Sequence, residues 1–280
     1  MMDATYSERE IEEAFRFLEH EKLIFFLDGY FALYNNNILV QRRKKGNEKA
    51  VGQLRIAAKV ANLLSRFPYV RGVAVSGSLS KNFADEESDI DFFIITAKDR
   101  LWLARTLMHL FKKLTYLVGK QHWFCMNYYV DEAGLEIKEK NIYTAVEVVT
   151  ALPLRGDVIF QDLIAANEWT KTFFSARVTE INTSKKIRKG LLKPLAENIF
   201  NNKFGNWLND RLMEITIRRW AKKTENKRKN RRGILMGMDA GKHYSKPEPK
   251  YFQEKVLYQF HLKMEQLMHK LEPYPALRAV

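Results

Sequence analysis

The chain has 280 residues, 46% hydrophobic and 12% aromatic, enough apolar material for one large core or two to three smaller ones, which excludes an intrinsically disordered protein. A single cysteine, Cys125, excludes an internal disulfide and a cysteine-based zinc cluster. The net charge of +14 is concentrated: residues 184–250 hold 19 Lys or Arg against 6 Asp or Glu, a balance suited to nucleic acid, nucleotides or an anionic membrane surface, or to a solvated basic face.

The predicted elements begin with residues 7–21, where Ser7 and Glu10 form a capping-box pattern ahead of Ile11, Ala14, Phe15 and Leu18 at helical spacing. "LIFFLDGYFALYNNNILVQRR" then reads as a β-hairpin with an Asn-rich turn. Helix plus hairpin suggests a small winged-helix-like module over residues 1–46. A helix over 47–67 ends ahead of Pro68. A strand at Val70–Val75, a Gly-Ser turn and a strand at Ile90–Thr96 follow. Next come a buried helix at Leu101–Val118, a strand at His122–Val130, and helices at Tyr143–Leu152 and Asp157–Trp169 around "LPLRGD".

This alternation predicts an α/β (α+β) domain over 47–183, a mixed sheet with flanking helices. Residues 184–280 carry no strand signal; they predict a basic helical region, with a mobile or partner-ordered linker before the last helix. The acidic N-terminus lacks the order of a signal peptide, and no apolar run reaches about 18 residues without charge. The expectation is a cytoplasmic protein with no transmembrane segment.

One stretch carries chemistry. In "VAVSGSLSKNFADEESDIDFFIIT", Asp89 and Asp91 lie two apart, so on a strand they share a face while Ile90 and Phe92 take the other. Like charges so placed repel unless a cation bridges them. An apolar strand, Gly77-Ser78, ten residues, then Asp-apolar-Asp on the next strand resembles the signature of the DNA polymerase β-like nucleotidyltransferase superfamily. The likeness covers roughly residues 50–170.

The resemblance implies that Asp89 and Asp91 bind metal, two Mg²⁺ ions being expected, and that Gly77 and Ser78 hold the phosphates of an NTP. Lys81 is placed to be a phosphate contact or an ordinary surface lysine. Members of the superfamily usually add a third carboxylate on the next strand, where "WFCMNYYV" offers no acid. Asn127 is the side chain of similar shape there, and Glu136, beyond the strand, is the best acidic substitute. Glu147, in "YTAVEVV", reads as a helix residue, and the six histidines show no metal-site spacing.

Two functions follow. One is a Mg²⁺-dependent transferase moving a nucleoside monophosphate from an NTP to an acceptor that the sequence does not identify. The other is a non-catalytic nucleic-acid-binding or nucleotide-sensing protein on the same scaffold, using the basic segment 184–250.

Overall fold

The computed structural model describes residues 7–86, 88–115, 117, 119, 121–174, 184–187, 190, 192–227, 238–246 and 250–271. Helix α1 (Glu8–His20) starts as its sequence predicts: the Ser7 hydroxyl accepts from the Glu10 N–H, and the Glu10 carboxylate accepts from the Ser7 N–H at 2.7 Å. Strands β1 (Phe25–Leu27) and β2 (Tyr30–Ala32) form a hairpin, but not the expected one: both strands lie ahead of the Asn run and the turn is Asp28-Gly29. Both turn residues have positive φ (50° and 85°), the conformation a two-residue hairpin loop needs to match strand twist.

The asparagines do a different job. Asn36 caps helix α2 (Asn37–Leu64) by accepting from the Ile38 N–H at 2.9 Å, so "ILVQRR" is helix and the predicted second strand there is overturned. The helix runs unbroken through residue 46, starting ten residues before the predicted 47.

The main sheet has the order β6-β3-β4-β5-β8-β7. Its centre is β3 (Val70–Val75), antiparallel to β4 (Asp91–Thr96), and β4 runs parallel to β5 (Cys125–Asp131). Between β3 and β4 lies a one-turn helix, α3 (Gly77–Ser80). Helix α4 (Leu101–Thr115) makes the crossover that a parallel pair requires. Alternation along the strands sorts two cores. Val73, Val75, Phe92, Ile94 and Tyr129 pack with Ala57, Ala61 and Leu64 of α2 and Trp102 and Met108 of α4. Ala74, Phe93, Ile95 and Val130 face Phe160 and Leu163 of α6 (Asp157–Ala166). Strands covered on both faces read as the near-continuous apolar runs seen in the sequence.

Two further corrections concern strands. After helix α5 (Ile142–Thr150), the stretch "LPLR", to which the sequence assigned no strand between its two predicted helices, forms β6 (Leu152–Arg155), paired with β3 at the sheet edge, where Pro153 is tolerated. Beyond helices α7 (Leu192–Ile199) and α8 (Lys203–Glu225), β7 (Asp239–Ala240) and β8 (Tyr244–Lys246) extend the sheet, β8 pairing with β5. The predicted absence of strands past Thr183 is therefore wrong, and the part of the predicted linker at 238–246 is ordered sheet; its residues 228–237 lie outside the described set. Helix α9 (Lys250–Lys270) follows and packs near α5.

Asp131, fully buried at the end of β5, ties this added hairpin down. Its carboxylate accepts from the Asp99 and Ala133 N–H groups and lies 2.9 Å from His243 Nδ1, while Lys242 pairs with Asp99 at 3.0 Å. Asp99, Asp131 and His243 are close enough to hold a metal ion, and in this structure the Asp131 carboxylate is engaged by backbone N–H groups and His243.

Between α4 and α8, Arg105 sits 4.8 Å from the Trp220 ring centroid. His109 Nε2 is buried there with no hydrogen-bond partner among the described residues. Burial first, then the charges of Arg105, Lys112 and Lys113, hold the His109 pKa down at about 3. An unfolded histidine titrates near 6.5, so between about 6.5 and 3 the unfolded chain binds a proton that the folded one does not. Stability contributed by neutral His109 is therefore complete above about 6.5 and is lost as pH falls through that window, by up to about 1.4 kcal/mol per pH unit. Chemical denaturation of wild type and His109→Leu across this range should show a shallower pH slope in the variant. Parallel slopes would contradict it.

Candidate active site

The site forms at the end of the sheet where β3 leaves and β4 enters. Asp91 is the first residue of β4 and Asp89 lies just before it, with Ile90 buried between them. Ser76 donates its N–H to the Asp91 carbonyl at 2.9 Å, which brings the Gly-Ser turn against the aspartates. Gly77 has φ +69°, and a Cβ there would fall 2.9 Å from Asp91 Oδ2. Glycine is thus required twice, once by the backbone and once by the carboxylate. Ser78 is exposed at the rim.

Each aspartate is oriented by a neighbour. His122, in the turn before β5, places Nδ1 2.6 Å from Asp89 Oδ1. Asn127 donates its amide to Asp91 Oδ1 at 2.5 Å. The β4–β5 ladder explains that aim. Phe92 pairs with Met126 but Phe93 pairs with Tyr128, so Asn127 is the extra residue of a bulge that turns its side chain toward Asp91. Asp91 of the sequence-predicted pair and the substitute position thus meet.

Glu136 does not join them. It is exposed and pairs with Lys140 at 2.7 Å, an interaction that lowers its pKa. Cys125 Sγ lies 3.1 Å from Asn127 Oδ1, but burial, with Asp91 nearby, pushes its thiol pKa up to about 12, so it is no nucleophile at neutral pH.

The residue that sequence reading missed is Glu147. From the middle of α5 its carboxylate accepts the Gly77 N–H at 3.2 Å and pairs with Lys81 Nζ at 2.8 Å, while Lys81 also donates to the Gly77 carbonyl at 2.9 Å. An acid in an otherwise apolar helix was the available signal, since a partly buried carboxylate needs partners. A small cavity of 60 Å³ reaches from Glu147 to Asn127, lined also by Ser76, Tyr128, Tyr143 and Lys246. Lys246 comes from β8, so the basic C-terminal segment contributes a side chain beside Asn127.

The donor set suits a hard divalent cation: two carboxylates on one edge, an amide able to present oxygen, and no thiolate or free imidazole cluster among the described residues. The Gly77 cradle against Asp91 leaves no room for any side chain in the turn, as close approach of a ligand would demand.

Residues 58–188 match the family model described as a nucleotidyltransferase domain, a span that includes Gly77, Asp89, Asp91, Asn127 and Glu147. No curated protein and no solved structure gives a match. The match spans somewhat under half of the chain and is consistent with a polymerase β-like nucleotidyltransferase superfamily over that segment.

Proposed function

We propose that the protein is a Mg²⁺-dependent nucleotidyltransferase that moves a nucleoside monophosphate from an NTP to an acceptor hydroxyl. The observation that carries this reading is the meeting of Asp91, Asp89 and the Gly77–Lys81 turn at one strand end. Asp89 and Asp91 would hold the metal, which when bound neutralises charge on the transferring phosphate. His122 and Asn127 keep those carboxylates in place. The Gly77 N–H and the Lys81 ammonium would take phosphate oxygens, and Ser78 offers a hydroxyl at the rim.

Glu147 now holds the first two of these donors. A triphosphate and this carboxylate therefore compete for one N–H and one ammonium. Glu147→Gln keeps a hydrogen-bond acceptor of the same shape but removes the charge. Because charge-assisted bonds are about twice as strong as neutral ones, the variant should bind Mg-NTP about tenfold more tightly. Calorimetry on both proteins decides this, and weaker binding by the variant would make Glu147 a support of the phosphate site instead of its competitor.

One observation favours a second reading. Asn127 is neutral where the superfamily usually carries an acid, so the domain could bind nucleotide without turning it over, as a sensor. Transfer of label from α-phosphate-labelled NTPs into fractionated cell extract separates the two. Labelled product above an Asp91→Ala blank supports the enzyme; tight Mg-NTP binding without product supports the sensor.

A further inference from the structure

The turn that carries Lys81 is anchored on α2, and the anchor is itself a basic, aromatic cleft. Phe83 donates its N–H to the Ser78 carbonyl at 3.1 Å, and Ala84 donates to the Gly46 carbonyl at 3.1 Å. The Phe83 ring rests on α2 at Gly46, where a Cβ would lie 2.3 Å from a ring carbon. Glycine inside a helix costs about 1 kcal/mol relative to alanine, and the close approach of this ring accounts for it here.

Above the ring stand two guanidiniums, Arg42 and Arg43, 5.5 and 5.8 Å from its centroid. Arg43 also donates to the Lys81 carbonyl at 3.0 Å, which ties the pair to the catalytic turn. With Leu39 they line an open cleft of 290 Å³. Neighbouring cations are neutralised: Lys44 pairs with Asp28, and Lys49 with Glu86 at 2.8 Å. Arg42 and Lys45 are exposed and have no carboxylate partner among the described residues.

We infer that this cleft binds the single-stranded end of a nucleic acid and presents it, as acceptor, to the Asp89–Asp91 site; the inference rests on the transferase function proposed above. Two guanidiniums over an aromatic ring combine a π-face on which a base can stack with planar donors for phosphate. That combination suits unstacked strands, whose bases are free to stack, better than a duplex. A lipid surface fits less well, because Leu39 is the one aliphatic side chain among the described residues that line the cleft. Position adds to chemistry: the cleft adjoins the turn whose other end meets Asp91, so a strand end seated there lies beside the site.

The test uses the full chain and fluorescently labelled single-stranded RNA and DNA of about twelve nucleotides, a length within the usual site size of a single-strand binder. Arg42→Glu should weaken binding by about tenfold or more and flatten the salt dependence by about 0.7 log unit for each phosphate no longer neutralised. Arg42→Lys, keeping charge but not the plane, should fall between. Photo-crosslinking from thiouridine in the RNA should label peptides containing residues 38–49 or Phe83.

Crosslinks confined to residues 184–250, or equal affinity in wild type and Arg42→Glu, would overturn the inference. So would retention by anionic vesicles, lost in Arg42→Glu, with no oligonucleotide binding. Titration of the same samples with each of the four Mg-NTPs keeps the two proposals apart. Mg-NTP binding without oligonucleotide binding overturns this inference and leaves the transferase standing. Crosslinks at the cleft without binding of any of the four Mg-NTPs overturn the transferase, and with it the presentation of an acceptor.

Discussion

Asp91→Ala lowers nucleotidyl transfer by about 10³-fold or more while the protein stays folded. Asp91 is the residue around which the site is built: it faces Gly77, receives the Asn127 amide, and shares an edge with Asp89. On the proposed reading, removing it takes away a carboxylate that would hold metal, and loss of a single well-placed electrostatic group costs about 10²–10³-fold even without a metal. The structural cost is smaller. Asp91 and Asn127 are only partly buried, so the orphaned amide finds water and the loss should be about 1 kcal/mol. Initial rates of label transfer, with thermal unfolding of the same samples, check both parts. A variant that keeps a tenth of wild-type activity would contradict the role given to Asp91.

Asn127→Asp raises turnover. The bulge in β5 already aims this side chain at Asp91, so an acid there enters with the reach of the amide it replaces. It would add a carboxylate at the position where the superfamily's third acid is expected, and general-base help is worth about 10²–10⁴-fold. Three carboxylates without a cation repel, so the same variant should be less stable than wild type in the absence of Mg²⁺ and regain stability when it is added. Steady-state rates and unfolding with and without Mg²⁺ measure both effects. No gain in rate, with wild-type Mg-NTP binding retained, would favour the sensor. Glu136→Gln is the comparison: exposed and paired with Lys140, Glu136 should be replaceable without a change in rate.

The legible parts of this chain are those whose cause is local. Val70–Val75 was readable as a strand because it is buried on both faces, whereas the predicted strand from Ile90 begins only at Asp91, so Asp89 lies ahead of it and the pleat does not relate the two aspartates. The Asn run misled because asparagine serves turns and helix caps equally; the Asp28-Gly29 dipeptide was the stronger hairpin signal and lay seven residues earlier. Strand β6 was hidden by Pro153, which an edge strand tolerates and a central one does not. The two- and three-residue strands β7 and β8 are too short for periodicity, and their place depends on Asp131 holding His243 across the chain. Glu147 was hidden for another reason. Its partners, a backbone N–H at Gly77 and Lys81, lie 70 and 66 residues away, and no local pattern encodes such an interaction.

The central claim is that the Asp89–Asp91 edge and the Gly77 turn together bind a metal–nucleotide complex. Calorimetric titration of ATP and GTP into wild type and Asp91→Ala, each with and without Mg²⁺, tests it most directly. The account predicts heat of binding for wild type only when Mg²⁺ is present, and none for Asp91→Ala under either condition. Binding of equal affinity by the two proteins, or binding by wild type that is indifferent to Mg²⁺, would contradict it.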